Sequence, residues 1–485
     1  LSYGDRPLVK IDALSVFYPD RARPALKNVT DEIAAGEAVV LTGPSGCGKS
    51  TLCRVLAGFI PDLIDARVEG EISLDGRSMR GSDPTTIAAR AGLGLVEQDP
   101  DAQICTLNVG QEVAFGPENL CLPSEEVRSR AAWALDVVGI PHLVDRKTTT
   151  LSGGEKQRLA IASILAMEPE VILLDEPTAH LDPEGAKAVF DLLKVLRDRE
   201  GKTLIVAEHR LEPLLSLKPR LIVLDAGRLV ARRTTRVRED LLALGLRSSW
   251  EVDRGPAVPR REGGVTLKDV TFGYGKTALL DNLSLRVEPG EILGVIGRNG
   301  GGKTTLLRLL AGLERPWRGE VLRPPETRIG FVFQHPHQQI FAQTVRGEYA
   351  IEGIRDGEEL SKCLNEARLT GLADAPPHTL SLGEQRRLTV ATALARDPDL
   401  ILLDEPFIGQ DRRNVAWVIA RLLAARRRGA ATVVVSHDIP LVTALCDRLF
   451  YLGEEAIEGP VSSVLKRLRS IGKEAYLPGY WGEAR

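Results

Sequence analysis

The chain has 485 residues, enough to bury at least two cores. At 43% hydrophobic and 27% charged its composition is that of an ordinary globular protein, and a net charge of −3 gives no bulk electrostatic drive towards nucleic acid or an acidic membrane surface. No apolar run approaches the ~18 residues a membrane span needs, and six scattered cysteines, without CxxC or Cys/His clustering, argue against a zinc site or disulfide framework and fit a reducing cytosol.

The N-terminal stretch LSYGDRPLVK has no signal-peptide core and no Met, so the expectation is a processed or incomplete start. Alternating apolar residues (Leu8, Val9, Ile11, Leu14, Val16) predict a strand that reaches Tyr18. The apolar run Ala38 to Leu41 is followed by GPSGCGKST and then by a helical pattern at Leu52, Val55 and Leu56. Strand, glycine-rich loop and helix start are the setting of a P-loop. Gly43, Pro44, Ser45, Gly46, Cys47, Gly48, Lys49, Ser50 and Thr51 would cradle phosphate oxygens with backbone N–H groups at a helix N-terminus. Lys49 would reach the β- and γ-phosphates of ATP and the Ser50 hydroxyl would bind Mg²⁺. Cys47 lies inside that loop; a bulky thiol reagent there is expected to slow ATP hydrolysis, with ATP protecting.

The strand-like EGEISLDG (Glu69 to Gly76) comes next, then LGLVEQ ending at Gln98, and a helical stretch with Arg128, Trp133, Leu135 and Val138. LSGGEKQR (Leu151 to Arg158) precedes a fully apolar strand, VILLDEP, that carries Asp175 and Glu176. TLIVAEH ends at His209, and RLIVLDAG closes the half. Continuous apolar runs of this kind suit parallel strands covered on both faces. Residues 232–264 are rich in Arg, Glu, Pro and Gly and read as a solvated linker.

The same plan then repeats. A second glycine-rich loop (Gly297, Arg298, Asn299, Gly300, Gly301, Gly302, Lys303, Thr304, Thr305) again stands between an apolar strand and a helix. Lys49 answers to Lys303, Gln98 to Gln334, Ser152 to Ser381, Glu176 to Glu405 and His209 to His437, at offsets of 254, 236, 229, 229 and 228. The near-constant offset of the last three pairs marks a duplication. The drop from 254 to 236 leaves a trimmed segment in the second half, where the first has EGEISLDG. The tail (Lys466 to Arg485) reads as a short appendage.

Each half therefore holds one set of groups for nucleotide chemistry. Asp175 and Asp404, at strand ends, would bind the magnesium ion together with Ser50 and Thr304. Glu176 and Glu405 would act as general base on the attacking water, and His209 and His437 would contact that water and the γ-phosphate.

LSGGE between a P-loop and VILLDEP resembles the signature of ABC-type ATPases, and the match covers nearly the whole chain. The resemblance implies an α/β fold: two tandem P-loop NTPase domains (1–240 and 264–485, linked by 241–263), each with a mainly parallel sheet core, an antiparallel β subdomain and a helical subdomain. It implies a head-to-tail dimer of the halves, each ATP lying between the P-loop of one and the signature of the other. Ser152, Gly153 and Gly154, and Ser381 and Gly383, would then face the γ-phosphate. Tyr18 and Tyr274 would stack on adenine, and Gln98 and Gln334 would touch Mg²⁺ and the water. Asp182 and Asp411 match the family's loop that crosses to the opposite site. The second signature departs from the pattern: Leu382 stands where the first has Gly153. If that position needs φ > 0 or close phosphate approach, Leu is costly and the two sites are unequal.

A narrower resemblance covers QDPDAQICTLNVGQEVAFGPENL after Gln98 and QHPHQQIFAQTVRGE after Gln334. Both are similar to the Gln-loop region of energy-coupling-factor cobalt and vitamin importers. It implies docking of a transmembrane coupling subunit through Ile104, Val109, Val113, Phe115, Ile340, Phe341 and Val345, with acids at Glu112 and Glu348. A membrane substrate-binding component, uptake of a vitamin, vitamin precursor or metal cation, and a peripheral place at the cytoplasmic face of the membrane follow from the same resemblance. No nucleic-acid partner and no direct insertion into the membrane are expected. The rival reading is a non-transport ABC ATPase acting on ribosomes or DNA; the long charged helical linker or cysteine-rich cluster of such relatives does not occur in the sequence.

Overall fold

Alternate residues of one strand explain the layering of the first half. All five residues of β3 (Ala38–Thr42) are buried. Val40 faces a core shared with Ile172, Leu174 and Val206, whereas Val39 and Leu41 face a second core shared with Leu173, Ile205 and Ala207. A strand covered on both faces has no polar side to offer, which is why these runs are continuously apolar.

The structure, a computed structural model, describes residues 7–19, 23–44, 46–88, 92–179, 181–208, 211–233, 250–255, 263–355 and 357–478. Ser45, His209, most of the expected linker and the ends of both termini lie outside the described residues. The chain divides into two compact units, one ending at Ser248 and the other starting at Ser249.

In the first unit β1 (Val9–Phe17), β2 (Leu26–Ile33), β4 (Arg67–Leu74) and β5 (Arg77–Ser78) form an antiparallel sheet in the order β2-β1-β4-β5. β6 (Leu93–Val96), β7 (Val171–Asp175), β8 (Thr203–Ala207), β9 (Arg220–Asp225) and β10 (Arg228–Arg233) join β3 in the order β10-β9-β3-β8-β7-β6. Only the edge strand β10 runs antiparallel to its neighbour. Numbering the longer helices alone, α1 (Lys49–Leu56) packs between the two sheets, and α2 (Val109–Asn119), α3 (Ser124–Val137), α4 (Gly153–Leu165) and α5 (Pro183–Asp198) cover the other face.

The second unit repeats this. β15 (Ile329–Val332), β16 (Leu400–Asp404), β17 (Ala431–Val435), β13 (Ile292–Gly297), β18 (Arg448–Leu452) and the antiparallel β19 (Ile457–Pro460) form its main sheet in that order. β12 (Thr277–Val287), β11 (Val265–Tyr274) and β14 (Arg318–Leu322) form the antiparallel sheet. α6 (Lys303–Ala311) follows the loop; α7 (Val345–Ile351), α8 (Gly357–Glu366) and α9 (Leu382–Leu394) make the helical part, which has its own small core around Tyr349, Leu364 and Leu388. α10 (Arg412–Arg428) backs the sheet.

Two sequence expectations need correction. The segment missing from the second half is not the strand itself: RGEVL pairs with β11 as EGEISL pairs with β1, and what the second half lacks is the hairpin return β5. The tail is not an appendage as far as it is described. Val464 and Leu468 are buried, and Tyr476 packs edge-on against Tyr451 at 5.2 Å between ring centroids.

Candidate nucleotide-binding sites

In each unit the loop strand lies inside the parallel sheet, so its C-terminal end opens where ligands bind in such folds. Gly43 turns the chain at φ 145°, and a Cβ there would lie 2.0 Å from the Leu224 carbonyl oxygen. Gly297 repeats this at φ 149°, 2.2 Å from the Leu452 oxygen. No side chain fits either place. Gly48 and Gly302 cap α1 and α6 in the left-handed region, leaving the helix N-termini without a side-chain cap. First-turn N–H groups of this kind are what an anion binds.

The loop lysines curl over this cradle. Lys49 Nζ donates to the carbonyls of Gly43 (3.0 Å) and Pro44 (3.3 Å), Lys303 Nζ to those of Gly297 (2.9 Å) and Arg298 (2.8 Å). Ser50 Oγ donates to Asp175 Oδ1 at 3.1 Å and Thr304 Oγ1 to Asp404 Oδ2 at 2.7 Å. Burial pushes the Asp175 carboxyl up to about 6, against the Ser50 hydrogen bond, and raises that of Asp404. Among the described residues no group of three or more His, Cys, Asp or Glu side chains could hold a metal ion alone. A hydroxyl beside a carboxylate suits Mg²⁺, which takes oxygen ligands and leaves most positions to phosphate and water.

Next to each Asp the backbone is strained. Glu176 (φ 46°) and Glu405 (φ 49°) occupy the left-handed region, rare for side chains larger than Gly and Asn. Gln98 Nε2 donates to Glu176 Oε2 at 3.4 Å. Among the described residues the Gln334 side chain makes no such bond to Glu405. There His437 takes over: its Nε2 is 3.2 Å from Glu405 Oε1 and 2.9 Å from Oδ1 of Asn299, a loop residue. Burial pushes Glu405 well above the usual carboxylate range, despite the nearby Lys303.

Tyr18 and Tyr274 stand at the loop mouths, their hydroxyls 3.3 Å from Thr51 and 3.5 Å from Thr305. Tyr18 also packs on the core, whereas Tyr274 is half exposed. Ser152 and Ser381 cap α4 and α9 through reciprocal bonds with Glu155 and Glu384. Their hydroxyls therefore already have a carboxylate partner. Neither Gly153 nor Leu382 is at positive φ; both are first residues of ordinary helices. Contrary to expectation, Leu382 therefore carries no backbone strain; its half-exposed side chain is what distinguishes this position from Gly153. Gly154 and Gly383 follow in the first turns. Asp182 and Asp411 are helix N-caps, accepting from Gly185 (2.7 Å) and Asn414 (2.8 Å).

Cys47 is buried, its Sγ 3.8 Å from Lys49 Nζ, and burial raises its thiol pKa. Buried in this way, the thiol offers little access to a bulky reagent.

The expected docking residues divide. Val109, Val113 and Val345 are fully buried core, Ile104 and Ile340 are half-buried, and Phe115 and Phe341 are exposed. Glu112 and Glu348 are internal acids: Glu112 accepts from the amides of Cys105 (3.0 Å) and Thr106 (2.8 Å), Glu348 from those of Phe341 and Ala342. Sequence reasoning also missed Gln103 and Gln339, whose side-chain amides bridge residues 95 and 97, and 331 and 333, ahead of each Gln loop. The signal existed: Gln103 and Gln339 share the 236-residue offset of Gln98 and Gln334.

Two phosphate-binding loops, each with its own Asp–Glu strand end in a parallel sheet, define a tandem P-loop ATPase. A family model described as ABC transporter matches residues 26–179 and 280–408, and the chain belongs to that family. It is 32% identical to "Putative ABC transporter ATP-binding protein" of Methanosarcina acetivorans, over 97% of this chain and 89% of that protein. It is 34% identical to "Putative HMP/thiamine import ATP-binding protein YkoD" of Bacillus subtilis, over 97% of this chain and 94% of that protein. A chain of the ribosome-bound archaeal Pelota and ABCE1 assembly superposes with a TM-score of 0.70, 23% identical, over 94% of this chain and 80% of that one, a likeness of fold alone. As ATP-binding proteins of this family do, the chain binds ATP, generally with Mg²⁺, hydrolyses it and works with transmembrane subunits. Among the described residues no helix is long and apolar enough to cross a membrane.

Proposed function

We propose that the chain hydrolyses ATP at two composite sites, each P-loop facing the signature of the other half, and so powers uptake of a small molecule through separate membrane subunits. The domain bounds are 1–240 and 264–485. Lys49 and Lys303 leave their loop carbonyls for phosphate oxygens. Ser50 with Asp175, and Thr304 with Asp404, are the groups that hold Mg²⁺, aided by Gln98 and Gln334. Held there, the ion would supply neutralisation of phosphate charge. Glu176 and Glu405 accept the water proton, and the upward shift that burial gives the Glu405 carboxyl suits that task near neutral pH. His209 and His437 orient that water, and Tyr18 and Tyr274 carry the adenine. Binding draws the halves together because each γ-phosphate gains donors from both; loss of phosphate removes those contacts.

The partner is a transmembrane coupling subunit of the energy-coupling-factor type, joined by a membrane substrate-binding component. The chain then sits peripherally at the cytoplasmic face. The observation that carries this reading is the exposure of large apolar side chains after each Gln loop: Leu107 and Phe115 in the first half, Phe341 and Ile351 in the second. A groove of about 530 Å³ lies between α2 and α3, its apolar walls made by Ala114, Leu122, Val127 and Val144, with Glu118 and Arg128 also lining it. Such surface suits an amphipathic helix of a membrane protein. The cargo is a vitamin, a vitamin precursor or a metal cation; a thiamine precursor is the first candidate, because the Bacillus subtilis relative is named for HMP/thiamine import.

A pull-down of the tagged chain from detergent-solubilised membranes tests the reading. Recovery of polytopic membrane proteins whose binding is lost in Phe341→Asp supports it. Recovery of ribosomal proteins or DNA instead overturns it.

A further inference from the structure

A buried cation ties three parts of the second half together. Arg386 lies in the second turn of the signature helix α9 and is only 3% exposed. Its Nη1 donates to the backbone carbonyl of Glu405, and its Nη2 donates to that of Gln334 at 3.1 Å. Nε is buried without a hydrogen-bond partner. Burial lowers the guanidinium to about 10, a cost that Glu405 and Asp404 reduce. A buried charge that leaves one donor unsatisfied is expensive. A neutral side chain would fill the space at lower cost.

The repeat supplies that neutral side chain. At the offset of the signature and catalytic pairs, Arg386 answers to Gln157. Gln157 is 2% exposed, and its Nε2 finds no hydrogen-bond partner among the described residues. The first half thus tolerates a shorter, uncharged group at the same place in the fold, without this fork onto two carbonyls.

We propose that Arg386 is a positioning residue of the second half: it locks the strained peptide of Glu405 and the Gln334 loop to the signature helix, so that the three move as one piece. The inference deepens the general-base role proposed for Glu405. The physical ground is geometric. A planar guanidinium presents two parallel donors and cannot follow two carbonyls that separate. The Glu405 carbonyl belongs to a residue in the left-handed region, so its peptide plane sets where the carboxylate points. The Gln334 carbonyl lies beyond the end of β15, on the segment leading to the exposed Phe341. Movement of that segment is therefore felt by the Glu405 peptide in this half, and far less by Glu176 in the first.

The test uses the full chain carrying Glu176→Gln, which silences the first site. Arg386→Gln, Arg386→Met and Arg386→Lys are compared for steady-state hydrolysis of Mg-ATP and for backbone hydrogen exchange. The Gln and Met variants are expected to lose about tenfold in kcat with KM within about twofold, because orientation and not ATP binding is lost. Arg386→Lys, which keeps the charge and part of the donation, should recover part of kcat. Amides at 334–336 and 405–407 should exchange faster while β17 stays protected. Unchanged kcat with unchanged exchange overturns the proposal, as does a kcat loss that all three variants share equally. If Gln and Met variants do not fold, exchange in the Lys variant decides alone: faster at those two segments supports the lock, uniform protection refutes it. If the parent chain hydrolyses no ATP, the general-base reading of Glu405 fails, and the exchange result still decides whether the lock exists.

Discussion

His437 Nε2 stands 3.2 Å from Glu405 Oε1, while the His437 amide donates to the other carboxylate oxygen at 3.3 Å. The pair is almost fully buried, and Asn299 of the phosphate loop reaches the same imidazole nitrogen. Imidazole, carboxylate and phosphate loop thus meet at one point of the second half. In the composite-site reading this second-half site meets the LSGGE signature, whereas the first-half site meets Leu382. Glu405→Gln should therefore remove the larger share of ATP hydrolysis, and Glu176→Gln the smaller. Loss of a general base costs about 10²–10⁴ at the affected site, so phosphate release by the two single variants separates them. Equal residual rates would sink the inequality.

The close approach of Gly43 to the Leu224 carbonyl makes a stability prediction. Gly43→Ala places a methyl 2.0 Å from that oxygen and should lower the melting temperature of the chain by several degrees. Gly46→Ala meets nothing within 4 Å and carries only the strain of φ 77°, which costs about 1 kcal/mol. Thermal melts of the two variants side by side check the ranking.

Asp175 links stability to pH. Its folded-state pKa of about 6 lies above the ordinary 3.8. Between those values the native chain binds more protons than the unfolded chain, so this group's contribution to stability falls as pH rises through the window and stays low above it. Asp175→Asn should raise the stability of the nucleotide-free chain at pH 7.5 by about 1–3 kcal/mol, with a smaller gain at pH 5. The same variant should lose Mg²⁺-dependent ATP binding. Urea melts at the two pH values, with and without Mg-ATP, read both effects.

Glu348 holds its loop from inside. Glu348→Gln leaves two amides with a neutral acceptor or none, and should cost about 1–3 kcal/mol. The loop carrying Phe341 should loosen, with faster hydrogen exchange at Phe341 and Ala342. Glu112→Gln should do the same at Cys105 and Thr106. Unaltered exchange in both variants would contradict the clamp.

Cys47 should stay unmodified when the native chain is treated with a bulky maleimide, while the exposed Cys105 and Cys121 react. Mass spectrometry after unfolding in urea should then find Cys47 labelled. Rapid native labelling of Cys47 would mean that the loop opens far more than its packing allows.

Much of this was legible along the chain because the informative residues are contiguous. GPSGCGKST and VILLDEP each carry their own local geometry, glycines at forced positive φ in one and a fully buried strand in the other. The duplication supplied an internal check on every motif. Contacts between distant segments were not legible in this way. Glu112 and Glu348 look like surface acids in the sequence, because nothing nearby shows that two backbone amides need a buried acceptor. Gly153 looks like a conformational requirement, but its φ is ordinary. Arg386 looks like one more basic residue after a signature.

The linear order of residues established that the chain carries two phosphate-binding loops, two acid pairs at apolar strand ends and one plan used twice, since period and glycine placement are local properties. Three-dimensional packing decided which acids are buried, which apolar residues stay outside, and which carbonyls a single guanidinium can hold together. Those depend on distances between segments far apart in the chain, such as Gln334 and Arg386, 52 positions apart, and no pattern within a single segment encodes them.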